Sequence, residues 1–361
     1  MRTVLIAHNY STDSFAAMSH ELAHYLARQG FRVIFVSHRP YFKEPFHANV
    51  SPGEVIVYSW PTQNRPGSMA DFYWFAKLFN KYKPQNVIGH FVGANIVIPV
   101  AKILSLGRCK TIGHYHTIHF FEKSKSLFQR IKELRKRVLY HVFCDTIVCP
   151  SAVAQRDLKQ NFNYTKTHVL LNPLPDRFKG SSSVKSQDTI ILVYLGRMLR
   201  SKGVEVLLKA FGNHIRKFPQ SKLRLTLAGP GQKEEIESML TLAPTAIYDG
   251  VKDYSEIDSY LRTADFVILP SLADTLPLVG VEALMNKVPL LISTLAGISE
   301  YLEEDRECLK FYPDVDSIQN LLERVELESF DWHRLQSNSR LTYKDLFSME
   351  SYCAKFLGLL S

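Results

Sequence analysis

Residues 190–203 read IILVYLGRMLRSKG, and apolar positions at helical spacing follow from Val204 to Lys217. The uninterrupted run Ile190–Leu195 predicts a strand buried on both faces, as in a parallel sheet covered by helices. Arg197 falls at the carboxyl end of that strand, and Lys202 and Gly203 at the start of the helix. Two cations and a helix N-terminus converge where a phosphate is favoured. Exposed strand-end cations are the plain alternative. The loop is no P-loop, because GxxxxGK[ST] is absent.

The same alternation extends in both directions. Downstream, strands are expected at Leu223–Ala228, Phe266–Leu269 and Pro289–Ser293, with helices at Lys233–Thr241, Ser255–Thr263 and Leu278–Asn286. Upstream, strands are expected at Thr3–Ala7, Arg32–Ser37, Glu54–Tyr58, Asn86–His90, Lys110–Tyr115, Asp145–Pro150 and His168–Leu171. Helical patterns lie between them at Ser14–Gln29, Met69–Tyr82, Ala94–Leu106 and Ser151–Gln160, with Pro99 predicting a kink or a later start in the third. The segment Asn172–Asp188 has two prolines and a Ser/Lys-rich stretch and reads as a linker. The expected fold is α/β, with two Rossmann-like halves. A ligand is expected at the strand carboxyl ends, in a deep cleft between the halves.

Size and composition agree. A chain of 361 residues suits two domains, and 46% hydrophobic with 22% charged residues is ordinary globular composition. No apolar run approaches the ~20 residues of a membrane span, and the first residues lack the apolar core of a signal peptide. Five scattered cysteines without a CxxC suggest neither a disulfide framework nor a zinc knuckle, and a reducing cytoplasm is the expected home.

The net charge of +9 is uneven. Residues 1–180 carry 24 Lys and Arg against 10 Asp and Glu, and the remainder 20 against 25. The densest stretch, Glu122–His141, holds Lys123, Lys125, Arg130, Lys132, Arg135, Lys136 and Arg137. Leu127, Ile131, Leu134 and Val138 recur between them, predicting a basic amphipathic helix. A solvated helix face is one reading; attachment to an anionic membrane surface is the other, each Lys or Arg near lipid adding ~1 kcal/mol. No nucleic-acid-binding motif accompanies the patch, so nucleic acid is not an expected partner.

Two further segments carry candidate chemistry. In Ser271–Leu284, SLADTLPLVGVEAL, Asp274 sits in the loop after a strand and Glu282 about one turn into the next helix. Two carboxylates beside free helix-start amides suit a ligand bearing hydroxyls and phosphate, whereas Glu282 as a helix cap is the plain alternative. In Thr111–His119, TIGHYHTIH, alternation puts His114 and His116 on one face, with His116 nearer the cleft. His90, after another strand, can line the same side. For His90 and His114 a structural role is the alternative to a functional one. No acid lies among the histidines, so no metal site is expected. A Ser-His-Asp hydrolase is disfavoured because GxSxG is absent. Asp314-Val315-Asp316 precedes a helical run, with Asp316 expected as its N-cap.

Taken together, GR-x4-KG, LxLxLAGPG (Leu223–Gly231), Asp249-Gly250-Val251, the carboxylates eight positions apart and AGISE (Ala296–Glu300) resemble family-four retaining glycosyltransferases of the GT-B fold. The likeness covers most of residues 190–302; the first half is similar in layout more than in motif. The resemblance implies a sugar moved from a nucleotide-diphosphate-sugar to a hydroxyl of a glycan or lipid-linked acceptor, as in bacterial surface polysaccharide or lipopolysaccharide synthesis, with no cofactor besides the donor. It implies that Arg197 and Lys202 bind the donor diphosphate and that Glu282 holds the ribose. Asp274 takes the place of a Glu contacting the donor sugar, and His116 faces that sugar. The amides of Leu278 and Val279 face phosphate or sugar, and Val251 lies near the base. It also implies an N-terminal acceptor-binding domain over residues 1–175, a donor domain over 176–340 and a C-terminal helix over 341–361 packing back on the first domain. Placement at the cytoplasmic face of the cell membrane follows from a lipid-linked acceptor and the basic helix. Two features depart from the family: the Asp at 274, and Asn9-Tyr10-Ser11-Thr12-Asp13-Ser14 in place of a Gly-Gly loop. Another GT-B enzyme, such as a sugar-nucleotide epimerase, and a non-catalytic partner subunit are the rival readings.

Overall fold

The computed structural model describes residues 1–8, 14–38, 45–62, 66–90, 94–116, 127–180 and 188–361. These divide into two compact units, residues 1–175 with 349–361, and residues 176–348.

The first unit runs β1 (Thr3–Ala7), α1 (Ser14–Arg28), β2 (Arg32–Ser37), β3 (Phe46–Val50), β4 (Gly53–Ser59), α2 (Met69–Tyr82), β5 (Asn86–Gly89), α3 (Ala94–Leu104), β6 (Lys110–His114), α4 (Leu127–Val138), β7 (Thr146–Cys149), α5 (Ala152–Phe162) and β8 (Thr167–Val169). The sheet order is β3-β4-β2-β1-β5-β6-β7-β8, and every pairing is parallel except β3 with β4. Alternation along the strands divides the core in two. Leu5, Ala7, Ile34 and Ile56 pack with Phe75, Phe79, Val97 and Leu158 of α2, α3 and α5. Val4, Ile6, Val33 and Phe35 pack with Leu22 and Leu26 of α1 on the opposite face. The same face takes Tyr352 and Phe356 from the C-terminal end of the chain. Covering on both faces explains why these strands read as continuous apolar runs. The helix α3 continues through Pro99 rather than starting after it.

The second unit runs β9 (Ile190–Leu195), α6 (Val204–Lys217), β10 (Leu223–Ala228), α7 (Lys233–Leu240), β11 (Ile247–Tyr248), α8 (Ile257–Leu261), β12 (Phe266–Leu269), α9 (Leu278–Met285), β13 (Leu290–Ser293), β14 (Cys308–Phe311), α10 (Val315–Leu327) and α11 (Trp332–Phe347). Its sheet is all parallel, in the order β11-β10-β9-β12-β13-β14. The cap of α10 is Asp314, whose carboxylate accepts from the Ser317 amide, not Asp316, which sits in the first turn. Only Asp314 has the extended backbone that an N-cap requires.

After α11 the chain re-enters the first unit as α12 (Met349–Gly358). Its end is tied to that unit's sheet, where the Leu360 carbonyl accepts from Arg2 Nη2 at 2.7 Å and from Asn86 Nδ2 at 3.2 Å. Residues 341–347 belong to α11 and the second unit, so the returning helix is shorter than 341–361. The five cysteines are buried free thiols. Among the described residues, no helix is long and apolar enough to cross a membrane.

Candidate functional site

In the second sheet the strand order reverses between β9 and β12, since β10 follows on one side of β9 and β12 on the other. Open α/β sheets form a ligand crevice at the carboxyl ends of strands at such a point. Arg197 leaves β9 there with an exposed side chain. A short 3₁₀ turn, Arg200–Lys202, carries the chain to Gly203 at the start of α6. Gly203 has φ +71°, and a Cβ on it would sit 1.9 Å from the Pro270 carbonyl oxygen. Only glycine lets this turn lie against the loop after β12. The Leu272 amide donates to the Ser201 carbonyl at 2.9 Å, joining the two loops.

That packing delivers Lys202 to Asp274. Their side chains form a short, half-buried ion pair. Asp274 is held from the other side, because its carbonyl accepts from the Gly297 amide at 2.9 Å. The AGISE segment is thus a backbone support for Asp274. The Tyr194 phenol donates to the Arg197 carbonyl at 2.8 Å. Burial raises the Tyr194 pKa, the Asp274 charge raises it further, and the Arg197 charge opposes. Both charged groups therefore act on the same strand end.

Glu282 lies in the interior of α9, not at its cap, and is 2% exposed. Its carboxylate meets Arg177 at 3.3 Å. Arg177 also makes a forked contact to Asp258, at 2.9 and 3.1 Å, and donates to the Tyr254 hydroxyl at 2.6 Å. Burial disfavours the Arg177 charge, but Asp258, Tyr254 and Glu282 outweigh it and raise its pKa. The helix α9 begins at Leu278, after Pro277 in extended conformation, so the Leu278 and Val279 amides belong to the first turn, which has no intrahelical acceptors. Val251, in the loop after β11, is 63% exposed. The structure thus joins Lys202 to Asp274 directly and gives Glu282 a separate cation, Arg177. Nothing in the sequence around Arg177 announces that role, since it sits in the linker, 105 residues from Glu282.

A second cluster forms in the first unit, at the carboxyl ends of β1, β5 and β6. The first sheet reverses order between β1 and β5. Ile6, Ile88 and Ile112 face the α1 and α12 side, and alternation carries His8, His90 and His114 onto that side too. The rings of His90 and His114 stack at 3.8 Å, those of His114 and His116 lie 5.6 Å apart, and His8 lies 5.2 Å from His90. Phe356 of α12 stacks below His114 at 5.9 Å. Burial, then the neighbouring histidines, hold the His90 and His114 pKa values well below normal; the same causes bring His116 to about 3.

The helix α4 presents Ile131, Leu134 and Val138 to solvent, between exposed Arg130, Lys132, Arg135 and Arg137 and half-buried Lys136. A groove beside it is lined by Pro99, Leu134, Val138 and Phe143. Lys123 and Lys125, and the departing segment 9–13, lie outside the described residues.

Two doubly wound units, one with a cationic turn and the other with a histidine cluster at its switch point, define an α/β protein with polar groups gathered at its strand carboxyl ends. Residues 16–176 match the family described as Glycosyltransferase Family 4, and residues 189–326 match Glycosyl transferases group 1. The chain belongs to the family-four glycosyltransferases and has the GT-B fold. It is 29% identical over 117 residues to a D-inositol 3-phosphate glycosyltransferase of Corynebacterium kroppenstedtii, covering 30% of this chain and 26% of that protein. Its matches span about a quarter to under a half of the length of the first curated relatives. Among solved structures it is similar to sucrose-phosphate synthase from Thermosynechococcus elongatus, with TM-score 0.77, 17% identity and 99% and 98% of the two chains covered. Anabaena HepE in complex with UDP and glucose is also similar, with TM-score 0.74, 15% identity and 100% and 99% covered.

Proposed function

We propose that the protein transfers a sugar from a nucleoside-diphosphate sugar to a hydroxyl of a glycan or lipid-linked acceptor, with retention of anomeric configuration. One observation carries the reading: Gly203 seats a cationic turn against the β12 loop, placing Lys202 beside Asp274 and near the start of α9. A diphosphate there gains Lys202, Arg197 and first-turn amides of α9, and it competes with Asp274 for Lys202. As the bond to the anomeric carbon breaks, the leaving diphosphate takes up negative charge, which those groups stabilise. Asp274 and His116 orient the sugar, and Glu282, held by Arg177, receives the ribose hydroxyls. The departing phosphate accepts the proton of the attacking hydroxyl. Side-chain cations meet the diphosphate charge, so turnover needs no divalent ion. That solved HepE holds UDP and glucose on a similar fold supports a nucleotide-sugar donor.

The exposed apolar ridge of α4 between basic side chains supports an acceptor met at an anionic membrane surface, on its cytoplasmic face, as in surface polysaccharide synthesis. The reading is tested by nucleotide release and transfer from UDP- and GDP-sugars in EDTA. Arg197→Ala and Lys202→Ala should each lower turnover by ~2–4 kcal/mol of transition-state stabilisation, roughly 30- to 1,000-fold. Near-normal turnover in both variants refutes the assignment.

A further inference from the structure

We propose that His90, His114 and His116 form a binding site for a borderline divalent transition-metal ion of the Zn²⁺ class, at the carboxyl ends of β5 and β6. One donor nitrogen from each ring lies within 4.8 Å of the other two. The sheet imposes this grouping. Gly89 of β5 is in register with Gly113 of β6, so His90 and His114 are neighbours across the strands. His116 lies two residues beyond His114 on the same face. The sequence puts His114 and His116 on one face and His90, 24 residues upstream, at the end of another strand; parallel pairing makes it their neighbour.

The polar accounting points to an occupant. His90 is fully buried and, among the described residues, neither of its ring nitrogens has a hydrogen-bond partner; His114 is 9% exposed with Nε2 likewise unmatched among them. Buried polar atoms are paired in the large majority of cases, and an unmatched one is destabilising. A site needing only packing would be filled by apolar side chains, as Ile88 and Ile112 fill the layer beneath.

Three imidazoles without a carboxylate make a nitrogen donor set that suits Zn²⁺, Co²⁺ or Ni²⁺ and not the oxygen-seeking Mg²⁺ or Ca²⁺. Donors at most 4.8 Å apart lie within about 2.8 Å of a common centre, and Zn–N bonds of ~2.0–2.1 Å require each to close by under ~1 Å. Ring rotation about the broad χ2 torsion supplies that movement. Three protein ligands leave one position open, as in a tetrahedral site that accepts a further ligand. A bound ion engages His116, so it inhibits transfer; this consequence alone rests on the proposed function.

The test is a titration of the full chain, stripped with EDTA and desalted, with Co²⁺ and then Zn²⁺. One equivalent of Co²⁺ should give the intense visible ligand-field absorption of four- or five-coordination, and Zn²⁺ should displace it. His90→Gln and His114→Asn should each weaken binding at least tenfold. Substituting His20 and His24 by Ala, the close pair on α1 with rings 4.5 Å apart, should leave the absorption unchanged. Circular dichroism verifies folding of the variants, and zinc-edge X-ray absorption on the unaltered protein counts imidazole ligands without any substitution. Absence of a stoichiometric signal, its persistence in both His90→Gln and His114→Asn, or its loss with His20 and His24 overturns the proposal. Thermal shift by UDP on the same sample reports the donor site separately, so either reading can fail alone.

Discussion

Glu282 and Asp258 are carboxylates with little exposure, at 3% and 17% of their side-chain surface, and both pair with the Arg177 guanidinium. Breaking a buried ion pair from one side leaves an uncompensated charge and costs ~3–5 kcal/mol. Arg177→Met should therefore destabilise the second unit by about 3 kcal/mol, read as a lower urea midpoint, and a change below ~0.5 kcal/mol would contradict the structural role assigned here. At this scale Lys202 and Asp274 are legible in the sequence, because a strand end and a following helix bracket each of them. Arg177 is not, because a lone Arg after two prolines carries no periodicity, and its partners come from α8 and α9 only in three dimensions. His90 is half-legible: its strand is readable, but its neighbour across the sheet is set by register, which no local pattern encodes.

Among the elements, helix ends are fixed by particular side chains, as helix faces are. The helix α2 starts at a full capping box, with Ser68 accepting from the Asp71 amide and Asp71 accepting from the Ser68 amide at 3.0 Å. Burial opposes the Asp71 charge, but hydrogen bonds from Gly67, Ser68 and Thr62 lower its pKa below the usual carboxylate value. A depressed folded-state pKa contributes stability present above ~3.8 and lost as pH falls through the folded value. Asp71→Asn should cost about 1 kcal/mol at pH 7, with the gap to the unaltered protein closing in acid; a gap independent of pH would contradict this. The helix α4 makes a different prediction. Its exposed Ile131, Leu134 and Val138 between basic residues should give co-sedimentation with vesicles that rises with anionic lipid and falls in high salt, whereas binding indifferent to both would count against a membrane face. Elements that escaped the sequence were short or lacked a pattern. The strand β3, FHANV, has mostly exposed or half-exposed residues and pairs antiparallel at the sheet edge. The two-residue strand β11 is too brief for any period to register.

Across the whole molecule, the strand–helix alternation determines two doubly wound sheets, and each reverses order beside a cluster of polar side chains. That much follows from burial on both faces, since only parallel sheets covered by helices need such long apolar strands. The second sheet's charged turn and the first sheet's histidines both sit at strand carboxyl ends, consistent with where open sheets bind ligands. The excess of positive charge in residues 1–180 belongs almost wholly to the first unit, whereas Arg197 and Lys202, the cations proposed to meet the diphosphate, belong to the second. Net charge therefore says little about the proposed donor site, which rests on these two side chains. Titration calorimetry of UDP and GDP against the unaltered protein, Arg197→Ala and Lys202→Ala tests this most directly. One of the nucleotides should bind the unaltered protein and bind each variant at least tenfold more weakly. Equal affinity for all three proteins would contradict it.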